Sequence, residues 1–150
     1  MNAVPGVRRT SLPDGYFHAF ARGACDIGPI FRDDPDREAF LDLLTRATTR
    51  HGIVCHAFCL MSTHYHLIVE TSRAGLSAGL GWLNWSYAMQ FNRRHGRFGH
   101  LFAERFSSRV IRSDEYLYDV CAYVLLNPVN AGLCDTVEGW PWSWSRLGIT

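Results

Sequence analysis

The sequence predicts an α+β domain built on an antiparallel sheet, with helices on one face of that sheet. Three observations support this prediction. Strand-like and helix-like segments follow the order βαββαβ, two of the strands are separated by a very short connection, and 47% of the 150 residues are hydrophobic. This length and apolar content fit a single domain with a buried core, and a charged fraction of 19% excludes a largely disordered chain.

The first strand and the first helix follow an N-terminal lead-in. Residues 1–15 are punctuated by Pro, Gly and Arg and predict a flexible segment, which leaves residues 16–150 as the domain. Residues 16–22 are rich in aromatic side chains and predict a strand that stops at Gly23. Three aspartates then favour a helix N-terminus, and the apolar spacing after them extends the helix to about Arg50.

A hairpin and a long helix occupy the middle of the chain. Residues 53–60 and 64–71 predict two strands, and the tight connection at residues 62–63 makes them antiparallel neighbours. Residues 76–94 predict an amphipathic helix, because apolar side chains recur there every three or four positions. A loop rich in Arg, His and Gly follows this helix.

A fourth strand, a last helix and an aromatic tail complete the prediction. The strand covers residues 106–112, and Asp114 is the predicted N-cap of a helix that runs to about Leu126, where Pro128 limits or kinks it. We expect the Trp-rich tail at residues 140–144 to pack onto the core. The order of elements is the ferredoxin-like arrangement, in which two helices cover one sheet face and leave the other face open.

Charge and cysteine content restrict the possible functions. The net charge is +1, from 15 basic and 14 acidic residues, which excludes a polybasic tail protein. Every basic residue is arginine, whose planar guanidinium suits phosphate, although a GC-rich coding bias would explain the same usage. Five cysteines, an odd number, and the lack of an apolar N-terminal segment predict a cytoplasmic protein with reduced thiols. No run of residues approaches the roughly 18 apolar residues of a membrane span.

The strongest local signal is the pair His64 and His66 in the third strand. Residues two apart on a strand point to the same face, so both imidazoles lie opposite Tyr65, Leu67 and Val69. We expect the apolar set to face the helices and the histidines to face the open side. Two imidazoles side by side can share a divalent metal, and they can equally be a pair of surface histidines.

A second pair, Tyr123 and Asn127, lies in the last helix. A spacing of four residues places both side chains on one helix face. A carboxamide oxygen at that position can complete a site for a hard cation such as Mg²⁺ or Mn²⁺. The alternative is a core tyrosine followed by an Asn-Pro turn, and the spacing alone does not decide between the two.

Three ordered blocks of sequence match a known family. They are residues 57–70, with STHYHLIVE, residues 92–102, NRRHGRFGHLF, and residues 122–133, AYVLLNPVNAGL. In this order they resemble the REP-associated tyrosine transposases, which belong to the single-tyrosine HUH transposases of the insertion-sequence-200 type. The resemblance extends over roughly residues 16–146 and includes shorter matches at residues 21–23, 31–34 and 140–143.

The resemblance implies a ferredoxin-like fold whose last helix is catalytic. It also implies cleavage and rejoining of single-stranded or hairpin DNA through a covalent 5′-phosphotyrosine, with Tyr123 as the nucleophile. His64, His66 and Asn127 would hold Mg²⁺ or Mn²⁺, which acts as a Lewis acid on the scissile phosphate. No nucleotide cofactor is needed, because the phosphotyrosine retains a phosphodiester bond that a 3′-hydroxyl can attack when the strands are rejoined.

Two departures from the family pattern leave the predicted ligands intact. Ser62 and Thr63 stand where the family often has Pro-Asn, which changes the turn before the first histidine, and lysine is absent from the chain. The resemblance further implies a location in the cytoplasm at the nucleoid, with no membrane contact. The oligomeric state stays open, since a homodimer could place Tyr123 in a partner's metal site.

Positive charge is concentrated after the long helix, where Phe98 and Phe102 alternate with basic residues. This pattern is typical of phosphate contacts beside stacking rings, although a solvated loop would look similar. The resemblance favours DNA contact. The predicted DNA-binding residues are Arg22, Arg93, Arg94, Arg97, His100, Arg105 and Arg109.

Two other classes of function remain open at this point. Cys55, His56 and Cys59 precede the histidine pair by a few residues, and a structural zinc module would use Cys55 and Cys59 from one strand face. A descendant of a transposase that binds hairpin DNA without cutting it would keep the same residues. Detection of a covalent protein–DNA adduct would separate an enzyme from such a binding protein.

Overall fold

The computed structural model describes residues 14–147. The elements are β1 (Asp14–Arg22), α1 (Asp34–His51), β2 (Val54–Leu60), β3 (His64–Ser72), α2 (Arg73–His95), β4 (Ser107–Ile111), α3 (Asp114–Asn130), a short 3₁₀ turn (Val137–Gly139) and β5 (Ser143–Ser145). Of the predicted lead-in, residues 1–13 lie outside the described residues and residues 14–15 belong to β1. No helix within residues 14–147 combines the length and apolar content needed to cross a membrane.

The five strands form one antiparallel sheet in the order β4-β1-β3-β2-β5. The first four strands give the ferredoxin-like arrangement that the sequence predicts. The fifth strand is an addition that pairs with β2, and the sequence analysis missed it because it has only three residues. Since β1 and β3 are paired near the centre of the sheet, side chains from both of them meet there.

Helices α1 and α2 cover one face of the sheet and enclose the larger core. Tyr65, Leu67 and Val69 of β3 are fully buried there, as the strand alternation predicts. The Tyr87 hydroxyl of α2 donates to the Ile30 carbonyl at 2.5 Å, which ties this helix to the segment before α1. Burial of aromatic and aliphatic side chains on this face is the main stabilising contribution to the domain.

Helix α3 packs on the opposite face, which is therefore not open as predicted. Its Val120, Cys121 and Val124 form a second, smaller core with Ile68 of β3 and Ile111 of β4. Ile68 lies on this face because it follows His64 and His66 in the alternation of β3. An apolar residue on the supposedly open side was the signal that something must cover it.

The ends of α3 also differ from the prediction. Ser113, not Asp114, is the N-cap, because its side chain accepts the Tyr116 backbone N–H at 3.1 Å. The helix continues through Pro128 to Asn130, four residues beyond the predicted end. Proline removes one backbone donor but does not stop a helix whose side chains remain well packed, and Pro128 is buried.

The Trp-rich tail packs back onto the start of the β2–β3 turn, in agreement with the prediction. The Trp140 indole N–H donates to the Leu60 carbonyl at 3.1 Å, and the Leu60 backbone N–H donates to the Trp142 carbonyl at 2.8 Å. The buried guanidinium of Arg37 lies over both indoles, at 5.5 and 5.7 Å from the ring centroids. Trp144 remains 46% exposed.

Two glycines of α2 give a matched test of this packing. An added Cβ at Gly75 would stand 2.5 Å from Thr71 Oγ1 and 2.9 Å from the His51 carbonyl oxygen, whereas nothing lies within 4 Å at Gly81. Alanine is favoured over glycine inside a helix by about 1 kcal/mol. We expect Gly81→Ala to stabilise the fold by up to that amount and Gly75→Ala to destabilise it by about 1–3 kcal/mol, through overpacking. Urea denaturation followed by circular dichroism measures both, and equal shifts would contradict the packing described.

Candidate active site

The pairing of β1 with β3 brings three histidines together on the α3 face of the sheet. Phe20 lies opposite His66 and Arg22 opposite His64 in the antiparallel register, and His18 lies next along the same face of β1. The His18 and His66 rings are 5.1 Å apart between centroids, and so are the His64 and His66 rings. His64 and His66 therefore share a face, as predicted, with His18 beside them.

Helix α3 presents its polar face to these histidines. Tyr116, Asp119, Tyr123 and Asn127 recur every three or four residues and line the same cleft. Tyr123 is 55% exposed, and its ring centroid lies 6.1 Å from that of His66. The apolar face of α3 packs in the second core. This packing holds the opposite, polar face of the helix in position along the cleft.

The cleft has a volume of about 760 Å³ and opens to solvent. The predicted residues that line it are His64, His66, Tyr123, Asn127, Arg22, Arg105 and Arg109. The main-chain N–H of Ala103 donates to the Arg22 carbonyl at 3.0 Å, which holds the segment carrying Arg105 against the end of β1. Three arginines thus surround the tyrosine and the histidines.

Burial keeps the three histidines neutral. It lowers the pKa of His66 to about 3, with smaller contributions from the neighbouring His18, His64 and Arg22. Burial also lowers the pKa of His18 to about 4, helped by Arg109, and that of His64 to about 4, helped by Arg22. At neutral pH each ring therefore has one nitrogen lone pair available as a ligand or hydrogen-bond acceptor.

The side chains of the cleft fit a divalent cation. Each of His64 and His66 uses Nδ1 in a contact, with Thr63 Oγ1 at 3.1 Å and with His18 Nε2 at 2.9 Å, so Nε2 is the ring nitrogen that would bind a ligand. Asn127 donates from Nδ2 to the Tyr123 carbonyl at 3.4 Å, which leaves its Oδ1. Imidazole nitrogens bind transition metals and a carboxamide oxygen binds hard cations, so this mixed set of donors is one that a divalent cation could use. Within residues 14–147 no three His, Cys, Asp or Glu side chains form a metal-binding group, and Asn127 Oδ1 would be the third donor beside the two imidazoles.

The remaining predicted DNA-binding residues lie outside this cleft. Arg94 is paired with Asp33 and Asp36, at 2.5 and 2.6 Å, and joins α2 to the N-terminus of α1. Arg97 donates to Asn92 Oδ1 at 2.7 Å. Arg93 and His100 are exposed, and His100 lines a second groove beside α2. Arg94 is therefore less available to a phosphate than the arginines of the cleft.

The zinc alternative is not supported by the strand geometry. The pairing of β2 with β3 shifts between Cys55 and Ala57, where a β-bulge reverses the alternation, so Cys55 packs on the α1/α2 core and Cys59 on the α3 core. The prediction that both thiols share a face is wrong for this reason. Burial raises the pKa of both thiols to about 12, which disfavours the thiolate that zinc binding requires.

Several residues that line the cleft were not predicted from the sequence, among them His18, Phe20, Glu104 and Asp119. Asp119 precedes Tyr123 by one helical turn, so its position was available from the helical spacing. His18 carried no such signal, because only the register between β1 and β3 places it beside His66.

The two predicted metal-binding histidines differ in burial, which gives a stability test. His66 is 7% exposed and bonded to His18, whereas His64 is only partly buried. We expect His66→Ala to lower the free energy of unfolding by about 1–3 kcal/mol, because it opens a cavity and leaves His18 unpaired. His64→Ala should cost clearly less. Urea denaturation measures both variants, and an equal loss would show that the two positions are packed alike.

Comparisons with known proteins agree with this architecture. Residues 28–126, about two thirds of the chain, match the family described as Transposase IS200 like. A Haemophilus influenzae protein assigned as a REP-associated tyrosine transposase is 22% identical over 146 residues, which cover 85% of this chain and 83% of that protein.

Two solved structures share the fold. One is a REP-associated tyrosine transposase bound to a REP hairpin, with a TM-score of 0.73 and 17% identity over 93% of this chain and 82% of that one. The other is a protein of Deinococcus radiodurans R1 assigned as a transposase, with a TM-score of 0.53 and 14% identity over 83% and 95% of the two chains. The family match covers about two thirds of the chain, and the ferredoxin-like sheet with its His-x-His strand facing the Tyr123 helix is in keeping with it. The chain therefore belongs to the IS200-like transposase family.

Proposed function

We propose that this protein is a metal-dependent endonuclease and strand transferase that cleaves and rejoins single-stranded DNA through a phosphotyrosine on Tyr123. The observation that carries the proposal is the position of Tyr123. Its half-exposed ring stands in a solvent-accessible cleft, on the helix face directed at His64 and His66. A tyrosine with only a packing role would have no reason to face two neutral imidazoles across an open cleft lined by arginines.

The reaction follows from the chemistry of a phenol and a phosphodiester. The Tyr123 oxygen loses its proton to solvent and attacks the phosphorus, and the new P–O bond forms as the bond from phosphorus to the 3′ oxygen breaks. The 3′ oxygen takes up a proton and leaves as a hydroxyl. The 3′-hydroxyl of another strand can reverse the sequence, which restores the tyrosine and joins the two strands without ATP.

The other residues of the cleft hold the phosphate and its counter-charge. His64, His66 and Asn127 would bind Mg²⁺ or Mn²⁺, which supplies positive charge that polarises the scissile phosphate. Arg22 and Arg105, which line the same cleft, would bind phosphate oxygens of the same strand. The guanidinium of Arg109 lies over the Phe20 ring at 5.7 Å and contributes charge from β4.

Hairpin DNA is the proposed substrate. The solved relative with the TM-score of 0.73 is bound to a REP hairpin, and this chain has the same fold over 93% of its length. Its net charge of +1 gives little general attraction to DNA, so binding must come from local groups. The cleft provides such groups in its three arginines. The loop after α2 provides the exposed Phe98, and Arg93 is exposed in the last turn of that helix.

Substitution of Tyr123 by phenylalanine tests the nucleophile. Tyr123→Phe removes only the attacking oxygen, so we expect complete loss of the covalent adduct while affinity for DNA survives. The assay incubates the protein with labelled single-stranded hairpin DNA and Mn²⁺, separates adducts on a denaturing gel, and locates the attached nucleotide by mass spectrometry of a digest.

Two tyrosines of the same helix serve as controls. Tyr116 lines the same cleft seven residues earlier, and Tyr118 is exposed outside it. Tyr116→Phe and Tyr118→Phe should both form the adduct. A nucleotide attached to Tyr116 or Tyr118 in the unaltered protein would overturn the assignment of Tyr123. If the unaltered protein binds the hairpin but forms no adduct, it is a binding protein only.

The salt dependence of DNA binding tests the cleft arginines. Removal of one phosphate-binding side chain should reduce the slope of log K against log salt by about 0.7–0.9. We therefore expect Arg105→Ala and Arg109→Ala each to flatten the slope by that amount. The control is Arg46→Ala, because Arg46 is exposed on α1, on the other side of the sheet. An Arg46 effect as large as that of the cleft residues would show that the charge acts non-specifically.

A further inference from the structure

The cleft contains a buried imidazole, that of His18, to which the proposed reaction gives no role. This residue lies in the middle of β1 and is 8% exposed, between the apolar Phe17 and Ala19 that face the other core. Burying an imidazole among packed side chains is unfavourable unless its nitrogens are hydrogen-bonded. At this position a hydrogen-bond partner offsets that cost.

That partner is His66. His18 Nε2 and His66 Nδ1 are 2.9 Å apart in a buried contact, and the two rings are inclined by 29°. Phe20 packs on both, with ring centroids 5.2 Å from His18 and 6.0 Å from His66. The orientation of His66 is therefore fixed from β1 and not only by its own strand.

A hydrogen bond between two neutral imidazoles has two forms. Either His66 carries its proton on Nδ1 and donates, or His18 carries a proton on Nε2 and donates to His66. In the first form the lone pair of His66 is on Nε2, the nitrogen left for a ligand. In the second form a proton occupies His66 Nε2, which prevents that nitrogen from binding a cation.

We propose that His18 is a positioning residue for the cation site: its Nε2 accepts the hydrogen bond from His66 Nδ1 and thereby holds His66 in the tautomer whose Nε2 can bind a divalent cation. The inference rests on the proposed function for the cation itself, whereas the contact between the two imidazoles stands independently of it. In this arrangement His18 is a partner of His66 and not a ligand, because its Nε2 lies 2.9 Å from His66 Nδ1.

Three variants of the full chain test the proposal. His18→Leu removes the acceptor, whereas His18→Gln keeps one, since its side-chain oxygen can take the place of Nε2. His56→Leu is the matched control, because His56 is also a buried histidine of the sheet, lies outside the cleft, and has no hydrogen-bond partner for either ring nitrogen within residues 14–147.

The first measurement is Mn²⁺ binding to the DNA-free protein, followed by the decrease of the free Mn²⁺ signal in electron paramagnetic resonance. Removal of an outer partner of a metal-binding histidine weakens binding by about 10- to 100-fold. We expect this weakening for His18→Leu, recovery of most of the affinity for His18→Gln, and no change for His56→Leu.

The second measurement needs no metal. Long-range ¹H–¹⁵N correlation spectra report which ring nitrogen of His66 carries the proton. We expect Nδ1–H in the unaltered protein and in His18→Gln, and a shift of the population towards Nε2–H in His18→Leu. Circular dichroism spectra identify any variant that does not fold.

The outcomes separate this inference from the proposed function. If His18→Leu binds Mn²⁺ like the unaltered protein while His64→Ala does not, the cation site is right and the role of His18 is wrong. If the unaltered protein binds no Mn²⁺, the cation site itself fails, and the spectra still decide whether His18 fixes the His66 tautomer. An unaltered protein with its His66 proton on Nε2 would overturn the proposal in either case.

Discussion

Helix α3 lies across the sheet face that carries the three histidines, and its apolar side is anchored there by Val120, Cys121 and Val124. Everything on the polar side of the helix takes its position from this contact. Each turn of the helix carries residues that pack on the sheet and residues that face the cleft. A rotation of the helix about its axis would therefore expose the second core and, at the same time, move Tyr123 away from the histidines. Stability and the geometry of the cleft are thus supported by the same few side chains.

Two groups of arginines in the described part of the chain have different surroundings, which the net charge of +1 conceals. One group is engaged inside the domain, where Arg37 lies over two indoles and Arg94 joins α2 to two aspartates at the start of α1. The other group surrounds the cleft from β1, β4 and the segment between α2 and β4. A planar guanidinium can serve in both settings, since it stacks on aromatic rings and also binds anions in bidentate fashion.

Local periodicity was sufficient to predict most of the elements and half of the site. The alternation in β3 placed His64 and His66 on one face, and the helical spacing placed Tyr123 with Asn127. Features that depend on pairing between distant segments were not accessible in this way. The β-bulge between the two cysteines of β2, the three-residue strand β5, and the approach of His18 to His66 all follow from register. The packing of α3 on this sheet face was not predicted, because Ile68, the apolar residue that follows the two histidines on the same face of β3, was not considered.

The attachment of the Trp-rich tail has a consequence for the order in which the protein becomes complete. Leu60, at the end of β2, exchanges hydrogen bonds with Trp140 and Trp142, and the Met61 backbone N–H in turn donates to the His64 carbonyl at 2.9 Å. The strand end that precedes the histidine turn is thus bonded to residues about 80 positions further along the chain. Synthesis proceeds from the N-terminus, so a growing chain can form the histidine hairpin long before it can make these contacts with the tail. Such distant contacts slow folding, and here they form only after the Trp-rich tail has been synthesised.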